Sequence, residues 1–551
     1  MQIRNRLLPL ALLLLATCRN SEAPTTGNTG GNPPPTQSVS VLTQHNDNNR
    51  TGWNDQEAAL TTANVNPQRF GLLFSLPVDD QVYAQPLVAA HVPINGNYRN
   101  VVVVATVNNS LYAFDGDNGT LYWQKNYTVS GMRPPQRFDM TGACSGTYQD
   151  FSFNIGIVGT PVIDPGTGRI YFVARSTNGT AFVQHLHAVN IVDGSEAIGS
   201  PKQISATYDG TGDGSVNGAI TFDAQRQNQR QGLTLINGTV YVTFSSHCDW
   251  GPYHGWILGY DAASLNPKIV YNDTPNGSAG GLWESGMGMA AESPENLYVV
   301  TGNGTVGDAG DPTNPINRGS SALKLTPSAA SLRVASYFTP YNYQALNDQD
   351  LDYGGMGALL IPNTNLFVTG GKDGNLYVLD RNDMGGYSSS SNQVRQLIPL
   401  GSNDVNMHCQ GAYYKGNPGE FFYVWSENDA LRAIPVNSAA GLLNSSGQVK
   451  STVPGPTGQS GAILSVSSNG DKAGTAILWA SYAANGDAEH DVRPGILRAF
   501  DANNVSKELW NNLQNPSDAA GNYAKFAAPT VANGHVYLPT FSNRVAVYGL
   551  R

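Results

Sequence analysis

The sequence predicts an all-β protein, an eight-bladed β-propeller of four-stranded antiparallel blades. Three observations carry that expectation. An apolar strand–turn–strand pattern recurs along nearly the whole chain, turn dipeptides such as Asn-Gly and Asp-Gly punctuate it, and no segment sustains a helical apolar period. Short, evenly spaced strands with such turns make hairpin-built sheets, and a four-strand unit repeated every few tens of residues is the mark of a propeller.

The clearest copies cover residues 101–123 (VVVVATVNNSLYAFDGDNGTLYW), 239–261, 366–381 (LFVTGGKDGNLYVLDR) and 536–550. Weaker copies begin near Ile170, Leu297, Phe421 and Ile477. A short apolar stretch precedes each copy, at 86–90, 159–164, 232–236, 287–292, 355–361, 411–414, 461–466 and 529–532, which gives eight first strands and hence eight blades. Segment 44–76 is expected to supply the strand that closes the ring on the last blade.

Composition agrees with many turns and strands buried between blades. Of 551 residues, 13% are charged, about half the usual ~25%, and 61 are Gly, well above the usual ~7%. The formal net charge of −10 argues against a nucleic-acid partner, which requires a basic face.

At the N-terminus, Arg4 and Arg6 precede an apolar run over 7–16 that is too short to span a bilayer as a helix. Residues 1–18 therefore read as a secretory signal. Leu15-Ala16-Thr17-Cys18 resembles a bacterial lipobox, with Thr17 in a place that normally holds Gly, Ala or Ser. It would make Cys18 a lipid anchor; simple signal cleavage nearby is the alternative. Residues 19–38 form a Pro/Gly/Thr linker and 39–551 a single propeller. The protein is thus expected to be exported: periplasmic, outer-membrane-anchored or extracellular. Export permits one disulfide among Cys144, Cys248 and Cys409, with one thiol left over.

Propeller topology turns the repeat into a map of one channel mouth. Residues just before each first strand, or just after each second strand, converge on one face. That face collects Asp249, Trp283, Asn303, Asp350, Lys372, His408 and Glu427, a set suited to a polar, charged ligand. The run 226–230 precedes a first strand on the same face, and Arg226 and Arg230 could clamp carboxylates there.

At Tyr377–Arg381 (YVLDR), at 296–303 (NLYVVTGN) and at 338–355, ending Asp350-Leu351-Asp352-Tyr353-Gly354-Gly355, the chain resembles the pyrroloquinoline-quinone-type eight-bladed propellers of quinoprotein alcohol dehydrogenases. The resemblance implies Trp283 as the floor beneath the quinone, Lys372 as the cation on the quinone oxygens and Asp350 as the catalytic base. It implies Asn303 as a metal ligand and places Asp352, a further candidate metal ligand, at the second Asp of the Asp350 stretch, although Gln349 replaces the family's Trp. Asp249 is the nearest substitute for the family's metal-binding Glu, one residue out of register. The family often stacks its cofactor under a disulfide between adjacent cysteines, whereas Cys144 stands alone in that region.

The chemistry implied is oxidation of an alcohol or sugar by a carboxylate base, with pyrroloquinoline quinone as acceptor and calcium, a hard cation suited to oxygen ligands. Each assignment has a plainer rival. Asp350 and Asp352 can cap turns, Trp283 can pack between blades, and Lys372 can be a hairpin tip. A metal trio of His247, His254 and His408 competes with ordinary local hydrogen bonding. Two other functions remain open: a non-catalytic propeller lipoprotein binding proteins or glycans, and a carbohydrate lyase or hydrolase using carboxylates such as Glu427 and Asp429.

Overall fold

The computed structural model describes residues 38–551 apart from 294, 402 and 403, so the expected signal, Cys18 and nearly all of the linker lie outside the described residues. Eight four-stranded antiparallel sheets form a propeller. Blade 1 runs Leu87–Ile94, Asn97–Ala105, Ser110–Asp115 and Leu121–Asn126. The first strands of blades 2–8 are Val162–Ile163, Thr234–Ile236, Ala290–Glu292, Leu359–Leu360, Ala412–Lys415, Ile463–Ser467 and Thr530–Ala532. Each overlaps the stretch that the sequence pattern marked.

Blade 1 shows why the pattern works. Asn95 and Gly96 both adopt positive φ (49° and 79°), the backbone of a tight hairpin whose twist matches its strands. Residues 101–105 are buried without alternation, because neighbouring blades cover both faces of a central strand. The outer strand Leu121–Asn126 is mostly exposed and polar, which blunts a sheet edge.

Apolar cores lie at the joints between blades. Leu87, Val101 and Val103 of blade 1 pack with Ile163, Ile170 and Phe172 of blade 2. The same mixing recurs around the ring, and Ala532 and Val545 of blade 8 meet Val88 and Val102 of blade 1. Closure uses the expected segment: Phe70–Pro77 pairs antiparallel with Arg544–Leu550 as the outer strand of blade 8. Early and late chain thereby share one sheet.

The residues before that strand do something the repeat did not reveal. Residues 41–54 pass around the inside of the channel and hydrogen-bond every blade in turn. Val41 N–H donates to Val88 O, and Leu42 O accepts from Ile163 N–H. Asn48 reaches Leu235 O through its side chain and Ala291 N–H through its carbonyl. Asn49 O, Thr51 O and Gly52 O accept from Leu360, Tyr413 and Val466. Asn54 Nδ2 finally donates to Val531 O of blade 8.

At the centre of this plug the fully buried Arg50 donates to Gln44 O (2.7 Å), Thr43 Oγ1 (2.9 Å), Thr234 Oγ1 (2.5 Å) and Met289 O (2.9 Å). Four acceptors repay much of the cost of burying a guanidinium. Gln44 in turn holds Gln410, which donates to Ser285 O and Phe526 O. The plug is thereby hydrogen-bonded, through Gln410, to Ser285 and to Phe526.

Candidate active site

On the face that gathers the functional residues a cavity of about 200 Å³ opens at the channel mouth. Asp249, Trp283, Asp350, Asp352, Lys372, His408 and Arg230 all line it, so seven side chains chosen from sequence do converge. Two of them, Asp249 and Asp350, have left-handed backbone, with φ of 49° and 55°, as do Glu284 and Ser285 just after Trp283, with φ of 44° and 50°. Such conformations cost energy in non-glycine residues and cluster at functional sites.

Lys372 is the hub of the charged side. Its Nζ lies 2.8 Å from Asp352 Oδ2 and 3.3 Å from Asp350 Oδ2. Burial works to lower the ammonium pKa, but Asp352 and Asp350 outweigh it, and the net direction is upward. Asn303 completes the group: its N–H donates to Asp352 Oδ1 (2.9 Å) and its Nδ2 to Asp350 Oδ1 (3.1 Å). The two carboxylates differ in access. The Asp352 side chain is 15% exposed, and the Asp350 side chain is 72% exposed, so a substrate can reach Asp350.

Asp249 stands nearby with Tyr253 donating to it at 2.5 Å. Desolvation, then the repulsion of Asp352 and Asp350, pushes its carboxyl up to about 6. Asn303 faces an adjoining open groove rather than the cavity itself; Asp249 and Asp350 line both.

The apolar side is built on Trp283. A Cβ at Gly302 would lie 2.6 Å from Trp283 Cδ1, so Gly302 lets the indole lie against the Thr-Gly-Asn backbone. Arg230 donates to Trp283 O (3.3 Å), and its guanidinium lies 5.4 Å from the Trp283 ring and 4.3 Å from Phe526. Burial lowers Arg230 to about 10, against the opposing pull of Asp150.

The isolation of Cys144 is corrected. Cys144 is bonded to Cys248, 104 residues away, and both line the cavity. Backbone folding brings together cysteines that sequence adjacency could not reveal. Cys409 is the free, buried thiol.

Arg226, like Asn303 and Glu427, does not line the cavity. Its guanidinium lies 3.6 Å from Asp223 and 5.2 Å from the Trp250 ring, partners that hold it outside the wall. The three histidines do not assemble either. His247 contacts Tyr148 and Arg175, His254 contacts Thr274 and Asp213 O, and His408 contacts Glu427 at 2.7 Å. Asp429 is tied to Arg432 by two hydrogen bonds, which gives it a structural partner. Asn228, within the run 226–230, also lines the cavity; sequence reading missed Lys525 and Tyr148, which line it too. Neither sits in a motif, and Tyr148 belongs to the irregular stretch between blades 1 and 2.

The Asn303 Oδ1 atom is buried with no hydrogen-bond partner, and Asp350 and Asp352 share the Lys372 ammonium with Asp249 nearby. Among the described residues no three His, Cys, Asp or Glu side chains form a metal cluster by themselves. A cation here would therefore depend on the Asn303 amide oxygen, a hard donor of the type calcium takes.

No protein-family model matches the chain, and no curated protein matches it by sequence. Solved structures do match. A europium-containing methanol dehydrogenase superposes with a TM-score of 0.57 at 12% identity, over 93% of this chain and 98% of that one. Quinohemoprotein alcohol dehydrogenase from Comamonas testosteroni gives 0.55 at 13% identity, over 93% and 80%. Quinohemoprotein alcohol dehydrogenase ADHIIG from Pseudomonas putida HK5 gives 0.54 at 13%, over 93% and 80%. The chain has the fold of these quinoprotein-type dehydrogenases.

Proposed function

We propose that the protein is a quinoprotein-type oxidoreductase that oxidises an alcohol or a sugar at this cavity. The observation that carries the reading is the convergence of Trp283, Lys372, Asp350 and the Cys144–Cys248 disulfide on one cavity. Trp283 offers a flat face for a planar ring system, and the disulfide offers an apolar surface in the same wall. Arg230 and Lys525 bring positive charge to the same cavity, which suits the carboxylates of pyrroloquinoline quinone.

Calcium would be held by Asn303 Oδ1 with Asp249 and Asp352. When bound, the quinone supplies the two-electron acceptor and calcium a Lewis acid. The chain's own residues supply the rest. Asp350 receives the proton of the substrate hydroxyl, being solvent-reached and oriented by Asn303 Nδ2 and Lys372. Lys372 stays protonated and offsets negative charge that develops at the cavity oxygens. Asp352, held by Lys372 and by the Asn303 N–H, fixes both of them in place. The groove that shares Asp249 and Asp350 gives the substrate a route to the base.

A disulfide in the site suits an oxidising compartment and supports export, as the basic and apolar N-terminus does. Among the described residues no helix is long and apolar enough to cross a membrane. The test is reconstitution of the purified protein with pyrroloquinoline quinone and calcium, followed by dye-linked oxidation of a panel of alcohols and sugars. Turnover that requires both additions supports the reading. A protein that binds glycans without turnover, or that depolymerises a polysaccharide without quinone, refutes it.

A further inference from the structure

Behind the disulfide three buried side chains form a chain. Arg175 Nη1 lies 3.1 Å from His247 Nε2, and His247 Nδ1 lies 2.8 Å from the Tyr148 hydroxyl. Arg175 is 2% exposed, His247 0% and Tyr148 5%, so water does not compete for these contacts. Their direction follows from donor chemistry. A guanidinium only donates, so His247 Nε2 accepts. A ring nitrogen that accepts carries no proton, so the single proton of the imidazole sits on Nδ1. That proton is donated to the Tyr148 oxygen.

The Tyr148 hydroxyl hydrogen is then left without an acceptor among the described residues, although Tyr148 lines the cavity. A buried donor left unmet is costly. Arg175 acts the same way on a second wall residue. Its Nη1 donates to Asn228 Oδ1 at 3.4 Å, which commits the amide oxygen and turns Nδ2 away from the arginine. Asn228 also lines the cavity.

We propose that Tyr148 and Asn228 are paired hydrogen-bond donors, oriented by Arg175, that bind an acceptor oxygen of an aromatic polycarboxylate on the disulfide side of the cavity. Tyr148 and Asn228 touch the ligand, and His247 and Arg175 are positioning residues. The identity of the ligand as a quinone rests on the function proposed above; the donor direction does not.

The test uses the full chain and two probes, pyrroloquinoline quinone and benzene-1,3,5-tricarboxylate, by calorimetry, together with 15N NMR of His247. The wild type should show the Nδ1–H tautomer, and Tyr148→Phe should weaken both probes about tenfold. Arg175→Met should shift His247 toward the Nε2–H form and weaken binding similarly. If that variant fails to fold, the wild-type spectrum and Tyr148→Phe decide. An Nε2–H tautomer in the wild type, unchanged affinity in Tyr148→Phe, or binding of neither probe overturns the proposal. Binding of the tricarboxylate with this dependence but not of the quinone leaves the donor pair standing and removes the quinone reading.

Discussion

Cys144 and Cys248 are joined by a disulfide in the wall of the cavity, although 104 residues separate them. The bond ties the irregular stretch between blades 1 and 2 to the loop that carries Asp249. Closing so long a loop removes much freedom from the unfolded chain. Cys248→Ser should therefore destabilise the protein by about 2–5 kcal/mol in denaturant titration, and it should weaken cavity ligands as well. Unchanged stability and affinity would show that the bond is incidental.

Glu284 follows Trp283 directly and is fully buried, with Oε1 accepting from Val300 N–H at 3.0 Å. Burial pushes its carboxyl up to about 8, against the opposing effects of Val300 N–H and Arg50. The folded state holds a proton that the unfolded chain loses near pH 4.5. Its contribution is thus complete below that pH and is lost as pH rises toward 8, on the order of 5 kcal/mol in all. Glu284→Gln should flatten stability across this window and raise it above pH 8. A wild-type profile with no decline there contradicts the assignment.

Lys525 is 5% exposed and donates to Glu489 O, and burial lowers it to about 8. Below pH 8 the apoprotein bears the cost of a buried ammonium, and that cost fades between pH 8 and 10.5. Lys525→Met should stabilise the apoprotein below pH 8 by an amount on the order of 3 kcal/mol, yet weaken anionic ligands. Wild-type affinity for such ligands should fall above pH 8, and the variant should lack that fall. Equal pH profiles for the two proteins would refute a role for Lys525 in anion binding.

The two carboxylates on Lys372 should separate in kinetics. Asp350→Asn should reduce kcat by at least about 100-fold with little change in quinone affinity, since the base acts on the substrate proton. Asp352→Asn should loosen Lys372 and Asn303 and weaken calcium and quinone binding instead. Interchanged effects would assign the base to Asp352.

The fold was legible because a propeller repeats its grammar: the same strand–turn pattern that marks residues 366–381 also marks 101–123, and each copy confirms the others. Trp283, Asp350 and Lys372 were legible for the same reason, since blade topology fixes which loops meet at one mouth. Arg226 was not, because position on a face does not say where a long side chain points; Asp223 and Trp250 decide that. The Cys144–Cys248 bond, the Arg175–His247–Tyr148 chain and Lys525 are contacts between distant segments with no shared spacing to announce them. The plug of residues 41–54 was hidden likewise, since its hydrogen bonds come largely from backbone, which any sequence can make.

The most direct measurement is an absorbance titration of the purified protein with pyrroloquinoline quinone, with and without calcium. The account predicts saturable binding at one quinone per chain, tightened by calcium and lost or severely weakened in Trp283→Ala and Lys372→Met. Absence of saturable binding in the folded wild type, or binding indifferent to both substitutions, would contradict it.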